Sequence, residues 1–171
     1  PTPHSSLPTP HSPLPTTHYS LLTTHYSLIM NPIKVLLVDD SPIAMSIFRK
    51  VLDSAPEVQV VGTAQDGAEA LSLIPRVQPQ VICTDLKMPK MDGLELIKQV
   101  MAKSPLPILV LSDAVQKQDI DNVFQVLQAG AVDVMPKPAS VSAADQEELK
   151  RSLITKIRVL ASKTVSAKPL P

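Results

Sequence analysis

At 171 residues, the chain is long enough for one domain with a substantial hydrophobic core, and two independent domains are not expected. Hydrophobic residues make up 44% of the chain and aromatic residues only 2%, so aliphatic side chains must form the core. The formal net charge is +0 and no long run of like charge occurs, so we expect neither a nucleic-acid partner nor a membrane partner. With a single cysteine and no apolar stretch of bilayer length, the chain is predicted to be cytoplasmic.

Residues 1–28 form four similar heptapeptides, PTPHSSL, PTPHSPL, PTTHYSL and LTTHYSL, and carry no charged side chain. This composition predicts a disordered leader over residues 1–30. A tandem DNA repeat of CCCACTC encodes the second heptapeptide, so our hypothesis is translated repetitive DNA with Met30 as the natural start. All four histidines lie in the leader. Residues 31–171 therefore cannot assemble a hydrolase that relies on histidine, or a histidine-containing zinc site.

From Ile33 onward, short apolar runs alternate with amphipathic stretches, as in repeated βα units around a parallel sheet. The predicted strands are residues 33–38, 58–64, 81–84, 106–111 and 131–135. Several of these runs are continuously apolar, as strands covered on both faces are. The sequence thus predicts an α/β fold with a doubly wound parallel sheet.

Helices are predicted between the strands and after the last one. They begin at Ser41-Pro42, Asp66-Gly67 and Asp92-Gly93, where the first residue of each pair is a favourable N-cap. Gly130 is expected to end the fourth helix. The predicted buried positions are Ile43, Ile47 and Val51 in the first helix, Ile120, Val123, Phe124 and Leu127 in the fourth, and Leu149, Leu153, Ile157 and Leu160 in the last.

Polar side chains follow the predicted strands at their carboxyl ends. Asp39 and Asp40 follow the first strand, Asp85 the third, Ser112 the fourth and Lys137 the fifth. These residues should meet at one edge, because all strands of a parallel sheet end there. Three carboxylates repel one another unless a cation lies between them, and an all-oxygen site suits Mg²⁺. Together with a lysine and a hydroxyl, such a site can stabilise a phosphoryl group during transfer.

Four strings, VLLVDDSP, ICTDLKMPKMDG, ILVLSDA and AGAVDVMPKP, resemble in order and spacing the signature of response-regulator receiver domains. VVGTAQDGAEAL and LITKIRVLASK resemble most closely the receiver of the chemotaxis protein-glutamate methylesterase. The resemblance implies a flavodoxin-like five-stranded sheet of order 2-1-3-4-5 with helices on both faces. It also implies a receiver core over 31–140, a final helix over 141–165 and a disordered tail over 166–171.

The resemblance further implies that Asp85 accepts a phosphoryl group from a histidine kinase. Asp39, Asp40, Asp85 and the backbone carbonyl of Lys87 would then hold Mg²⁺, while Ser112 and Lys137 would bind phosphoryl oxygens. It also leads us to expect a cis Lys137–Pro138 bond. Val134 departs from the family, which often has an aromatic switch residue at this point, and Lys87 stands where methylesterase relatives carry an acid.

Simpler interpretations exist for single residues. Asp39-Asp40 alone is typical of a helix N-terminus, Asp92 is better explained as a cap than as a rival phosphoacceptor, and Cys83 as a small core residue. For the whole chain, we predict a receiver that is not itself an enzyme and that acts with a kinase and a downstream effector. The alternatives are the regulatory part of a methylesterase whose catalytic domain is separate and, less favoured, a Mg²⁺-dependent phosphatase-like enzyme.

Overall fold

The computed structural model describes residues 22–23, 26–27, 29–113, 120–131, 133–138 and 142–167, with the backbone alone for 120–123. Its sheet contains five parallel strands in the order β2-β1-β3-β4-β5. The strands are β1 (Ile33–Val38), β2 (Val58–Ala64), β3 (Val81–Thr84), β4 (Ile108–Ser112) and β5 (Asp133–Pro136). The predicted fold class and strand order are confirmed.

Five helices cover the two faces of the sheet: α1 (Pro42–Asp53), α2 (Gly67–Val77), α3 (Gly93–Lys103), α4 (Ile120–Ala129) and α5 (Ala143–Ala161). Helices α1 and α5 pack on one face and bury a cluster around Leu52 and Leu153. Helices α2, α3 and α4 pack on the other face, around Leu96 and Ile108. The sheet is therefore covered on both sides, as its apolar strands predict.

The predicted helix starts at Ser41, Asp66 and Asp92 are confirmed. Each residue is an N-cap whose side chain accepts a hydrogen bond from a backbone N–H of the first turn. At α4, the chain leaves the helix at Gly130, which has a positive φ of 123°. These local signals fix where the elements begin and end.

Strands β4 and β5 both begin two residues later than predicted. Pro107, which precedes β4, has no N–H to donate to a neighbouring strand. Before β5, Gly130 and Ala131 still donate to the carbonyls of Leu127 and Val126 at the end of α4. At both points the residues that were predicted to begin the strand therefore still belong to the segment that precedes it.

Two of the predicted buried helix faces are wrong in part. In α1, Val51 is buried and Ile47 packs against the core as predicted, but Ile43 is 74% exposed, and Phe48 and Leu52 complete the buried side. In α4, Phe124 is 64% and Leu127 43% exposed, while Val126 is buried. The side chains of Ile120 and Val123 lie outside the described residues. Helical spacing identified an apolar stripe, but the stripe that packs on the sheet is rotated from it.

Helix α5 has the predicted buried face, formed by Leu149, Leu153, Ile157 and Leu160. It ends at Ala161, however, four residues before the predicted end of the final helix. Val165 packs against the α2–α4 side of the sheet, whereas α5 packs on the α1 side. The helix therefore has to end before Val165, so that the chain can cross to the α2–α4 side of the sheet.

Little of the predicted leader falls within the described residues. Residues 22–23, 26–27 and 29–30 are helical and exposed, and the rest of residues 1–30 lies outside the described ranges. The predicted tail is described only at residues 166–167, which are exposed and have no regular structure. The division of the chain into leader, core, final helix and tail stays a prediction. No described helix has the length and apolar character needed to cross a membrane.

Cys83 lies in the central strand β3 with 1% of its surface exposed, as predicted for a core residue. Burial raises the pKa of its thiol to about 12. We expect iodoacetamide to modify the native protein about a thousandfold or more slowly than the urea-unfolded protein, because only the unfolded fraction is reactive. Mass spectrometry over time measures both rates, and comparable rates would contradict the burial.

Candidate functional site

Three carboxylates meet at the carboxyl edge of the sheet, as the sequence predicts. The backbone N–H of Asp39 donates to Ala64 O (3.0 Å) and that of Asp85 donates to Val38 O (2.9 Å), so both residues continue the ladders of β1 and β3. Asp40 is the next residue after Asp39. One carboxylate oxygen from each of Asp39, Asp40 and Asp85 lies within 4.8 Å of the others.

Lys137 crosses β4 to reach this cluster from the end of β5. Its Nζ lies 2.7 Å from Asp39 Oδ2 and 2.9 Å from Asp85 Oδ2, and only 10% of its side chain is exposed. Burial by itself lowers the pKa of the ammonium, but the hydrogen bonds and charges of the two carboxylates outweigh burial and raise the pKa above its usual value. The ammonium of Lys137 is therefore charged and pairs with both carboxylates.

The other oxygen of each buried carboxylate is fixed by a backbone N–H. Asp39 Oδ1 accepts from Ser41 N (2.9 Å), and Asp85 Oδ1 accepts from Leu86 N (2.7 Å). For Asp39, burial raises the pKa more than the hydrogen bonds from Lys137 and Ser41 lower it. Burial thus disfavours the charged form of this carboxylate even beside Lys137, and a cation bound next to it would favour the charged form.

The three acids differ in their access to solvent. Asp39 and Asp85 are buried, whereas Asp40 is exposed. An open groove leads from Asp39 and Asp40 along α1 and past the end of β2, with Arg49 and Glu69 among its lining residues. The acid cluster is therefore at the surface, within reach of a group carried by another protein.

Ser112 and Lys87 lie at the same edge. Ser112 is the last residue of β4, the strand between β3 and β5, and is 2% exposed. Lys87 is exposed and belongs to the loop that follows Asp85. Val134, at the position where the resemblance led us to expect an aromatic residue, is half-buried and packs with the α2–α4 side of the core.

The Lys137–Pro138 bond is trans, and the prediction of a cis bond is wrong. Trans is the favoured form of an X-Pro bond by about 0.5–1 kcal/mol. Here the lysine reaches both carboxylates with the bond in that form, so no distortion is needed to place it.

Gly93 is a structural part of the site that the sequence did not reveal. A Cβ at this position would overlap the carbonyl oxygen of Asp85 and lie 2.8 Å from the Cα of Leu86. Gly93 N also donates to Leu86 O (2.8 Å). The loop after Asp85 thus packs directly on the first turn of α3, which requires a residue without a side chain. The Asp92-Gly93 pair was the available signal, but on its own it indicates only a helix start.

The donor set fits Mg²⁺ better than a softer metal. It consists of carboxylate oxygens, with no histidine or cysteine ligand in the described cluster. Hard divalent cations prefer such ligands, and Mg²⁺ keeps several waters in sites with few protein ligands. The cluster can therefore hold a hard cation beside Asp85.

Comparison with known proteins agrees with this geometry. Residues 35–150 match the response regulator receiver domain family, and the chain belongs to that family. It is 36% identical over 129 residues to the protein-glutamate methylesterase/protein-glutamine glutaminase of Pyrococcus horikoshii, an alignment that covers 75% of this chain and 35% of the relative. The chain thus spans little more than a third of the length of such relatives.

Similar solved structures lead to the same family. The response regulator domain of Thermotoga maritima CheB aligns with a TM-score of 0.70 and 32% identity, covering 78% of this chain and 99% of that domain. A chain in the CheX–CheY–BeF3–Mg²⁺ complex from Borrelia burgdorferi aligns with a TM-score of 0.59 and 26% identity, covering 73% and 90%. This protein is a receiver of two-component signalling, and it resembles chemotaxis receivers.

Proposed function

We propose that Asp85 is the residue that accepts the phosphoryl group. The observation that carries this proposal is its position: Asp85 contacts Lys137 and lies in one cluster with Asp39 and Asp40. Asp92, the rival acid in the same segment, caps α3 through a hydrogen bond from Glu95 N. Asp39 also contacts Lys137, but Asp85 follows the central strand β3, between the strand that leads into Asp39 and Asp40 and the strands that lead to Ser112 and Lys137.

The reaction transfers a phosphoryl group from a phosphohistidine on a partner kinase. A carboxylate oxygen of Asp85 attacks phosphorus, the P–N bond breaks, and the imidazole leaves with the electron pair of that bond and takes up a proton from solvent. The product is an acyl phosphate. In such transfers positioning and charge neutralisation dominate, so a general base on the receiver is unnecessary.

Asp39, Asp40, Asp85 and the backbone carbonyl of Lys87 would hold Mg²⁺ in this proposal. The ion would neutralise negative charge on the phosphoryl oxygens. Lys137 would exchange its contact with Asp85 for one with a phosphoryl oxygen, since both are anionic. The hydroxyl of Ser112, at the end of the neighbouring strand, would donate a hydrogen bond to another phosphoryl oxygen.

The signalling pathway of this receiver is proposed from its similarity to the relatives. Their similarity favours a role in chemotaxis-type signalling, with a histidine kinase upstream. The matched segment corresponds to a receiver, and residues 31–171 contain no histidine, so we propose that this segment is not itself a hydrolase. A second candidate is the regulation of a methylesterase domain encoded separately, and the gene sequence beyond Pro171 distinguishes these cases.

Intact-mass analysis tests the phosphoacceptor. After incubation with Mg²⁺ and acetyl phosphate, we expect the wild-type protein to gain one phosphoryl group and the Asp85→Asn variant to gain none. Removal of Mg²⁺ with EDTA should also prevent the gain, because the acid cluster would then repel the incoming phosphate.

Asp92→Asn is the matched control, because asparagine is as good an N-cap as aspartate and the helix start is preserved. This variant should be phosphorylated like the wild type. The proposal fails if the Asp85→Asn variant gains a phosphoryl group as readily as the wild type, or if the wild type gains none.

A further inference from the structure

The loop between β3 and α3, residues 85–92, is anchored to the start of α2. Gly67 N donates to Met91 O at 2.9 Å, and Lys90 Nζ lies 3.9 Å from Asp66 Oδ2. At its other end, the loop is closed by the hydrogen bond from Gly93 N to Leu86 O. The segment that contains Lys87 is thus held between these two backbone hydrogen bonds.

The contact between Gly67 and Met91 leaves no room for a side chain on Gly67. A Cβ there would lie 2.7 Å from Met91 Cγ, 2.9 Å from its Sδ and 3.0 Å from its carbonyl oxygen. All three distances are shorter than ordinary van der Waals contact. A larger residue at position 67 would therefore have to displace the Met91 side chain and would crowd the backbone of the loop at the Met91 carbonyl oxygen.

The conformation of the loop itself needs such an anchor. Lys90 has a φ of 63°, in the left-handed region that residues with a side chain rarely adopt. This conformation costs about 1–2 kcal/mol. Lys90 is 77% exposed and its ion pair with Asp66 is long, so the ion pair contributes little. The loop is therefore held to α2 mainly by the packing of Met91 against Gly67 and by the hydrogen bond from Gly67 N to Met91 O, rather than by the ion pair between Lys90 and Asp66.

We propose that Gly67 is a positioning residue for the metal site, acting through Met91 on the loop that carries the carbonyl of Lys87. This inference rests on the proposed function, since it assumes that the cluster binds Mg²⁺. A substitution at Gly67 should move a ligand on the loop while leaving Asp39 and Asp40, which follow a different strand, in place.

A double-mutant cycle tests the proposal, with the dissociation constant for Mg²⁺ measured by calorimetry and the Tm measured in EDTA. Gly67→Ala should weaken Mg²⁺ binding roughly tenfold, the size of effect seen when the support of a metal ligand is lost. Met91→Ala alone should weaken Mg²⁺ binding less than Gly67→Ala does, because it removes the packing on Gly67 but keeps the backbone hydrogen bond from Gly67 N to Met91 O. The double variant should regain most of the lost affinity, because the Cγ and Sδ that oppose the new methyl group are gone.

Gly62→Ala is the control for a glycine substitution that does not face the loop. Its Cβ would lie 3.3 Å from Leu36 Cδ1, inside the core, so a change in Tm is allowed while the Mg²⁺ affinity should stay the same. A merely structural role for Gly67 would give the same pattern as Gly62: a shifted Tm with an unchanged dissociation constant. That result would overturn the proposal.

A measurement on the wild type keeps the test valid even if Gly67→Ala does not fold. In an NMR titration with Mg²⁺, the amide of Gly67 should shift with the same dissociation constant as the amide of Asp85, while the amide of Gly62 should not follow it. An unchanged Gly67 amide would contradict the inference. If no amide near Asp85 responds to Mg²⁺, the metal site itself, and with it the proposed function, is wrong.

Discussion

Replacing Gly93 with alanine should destabilise the protein by about 3 kcal/mol or more and prevent the proposed phosphorylation of Asp85. The new methyl group would overlap the carbonyl oxygen of Asp85 and approach its carbonyl carbon to 3.0 Å. Backbone atoms cannot rotate away as the end of a side chain can, so either α3 or Asp85 has to move. Urea denaturation measures the loss of stability, and intact-mass analysis with acetyl phosphate measures the loss of phosphorylation.

Gly62→Ala provides the comparison for this variant as well. Its new methyl group would meet the side-chain Cδ1 of Leu36 at 3.3 Å, a contact that a small rotation can relieve. We therefore expect a cost below that of Gly93→Ala and normal phosphorylation. Equal stability losses, or a Gly93→Ala protein that is phosphorylated like the wild type, would show that the loop after Asp85 tolerates a side chain at position 93.

Much of the fold was predictable because local signals and burial agree. Strands β1, β2 and β3 have the predicted bounds, since each apolar run ends at a polar residue or a cap. The N-caps Asp66 and Asp92 fixed the starts of α2 and α3. In α5, apolar residues at helical spacing are separated by charged ones, so the sequence offers one stripe that can face the sheet.

Helices α1 and α4 show where this reasoning fails. Both carry apolar residues on more than one side, so periodicity alone cannot select the side that packs. In α4, the side with Val126 faces the core, and Phe124 and Leu127 remain exposed. In α1, Ile43 remains exposed for the same reason. Which stripe is covered depends on the rotation of the helix against the sheet, and that rotation is a tertiary property.

The site was predictable in its charged residues but not in its packing. The topology of a parallel sheet brings Asp39, Asp85 and Lys137 to one edge whatever the details of the loops. The roles of Gly67 and Gly93 depend on how closely two backbone segments approach. A Cβ would be crowded by Met91 at position 67 and by the backbone of Asp85 and Leu86 at position 93, and only the structure shows these close approaches.

Replacing Lys137 with methionine should destabilise the metal-free protein by about 3 kcal/mol, because it leaves two buried carboxylates without their ammonium partner. We expect the lower end of the usual range for such a loss, since Asp39, whose pKa is already raised, can take up a proton and relieve part of the repulsion. Mg²⁺ should raise the Tm of this variant more than that of the wild type, because the ion supplies the missing positive charge. Thermal denaturation in EDTA and in Mg²⁺ measures both effects.

Lys156→Met is the matched control, since it makes the same substitution in another ion pair. Lys156 Nζ lies 2.6 Å from Asp133 Oδ2, but 34% of the lysine side chain and 41% of the aspartate side chain are exposed. Solvent therefore screens this pair, and its loss should cost less than about 1 kcal/mol and leave the response to Mg²⁺ unchanged. If the two variants were equally stable in EDTA, the stability of the protein would not depend on the contacts of Lys137 with Asp39 and Asp85. The two variants separate the effect of distance from the effect of burial. The ion pair of Lys156 is shorter, so distance alone would predict the larger loss of stability for Lys156→Met. Burial predicts the larger loss of stability for Lys137→Met.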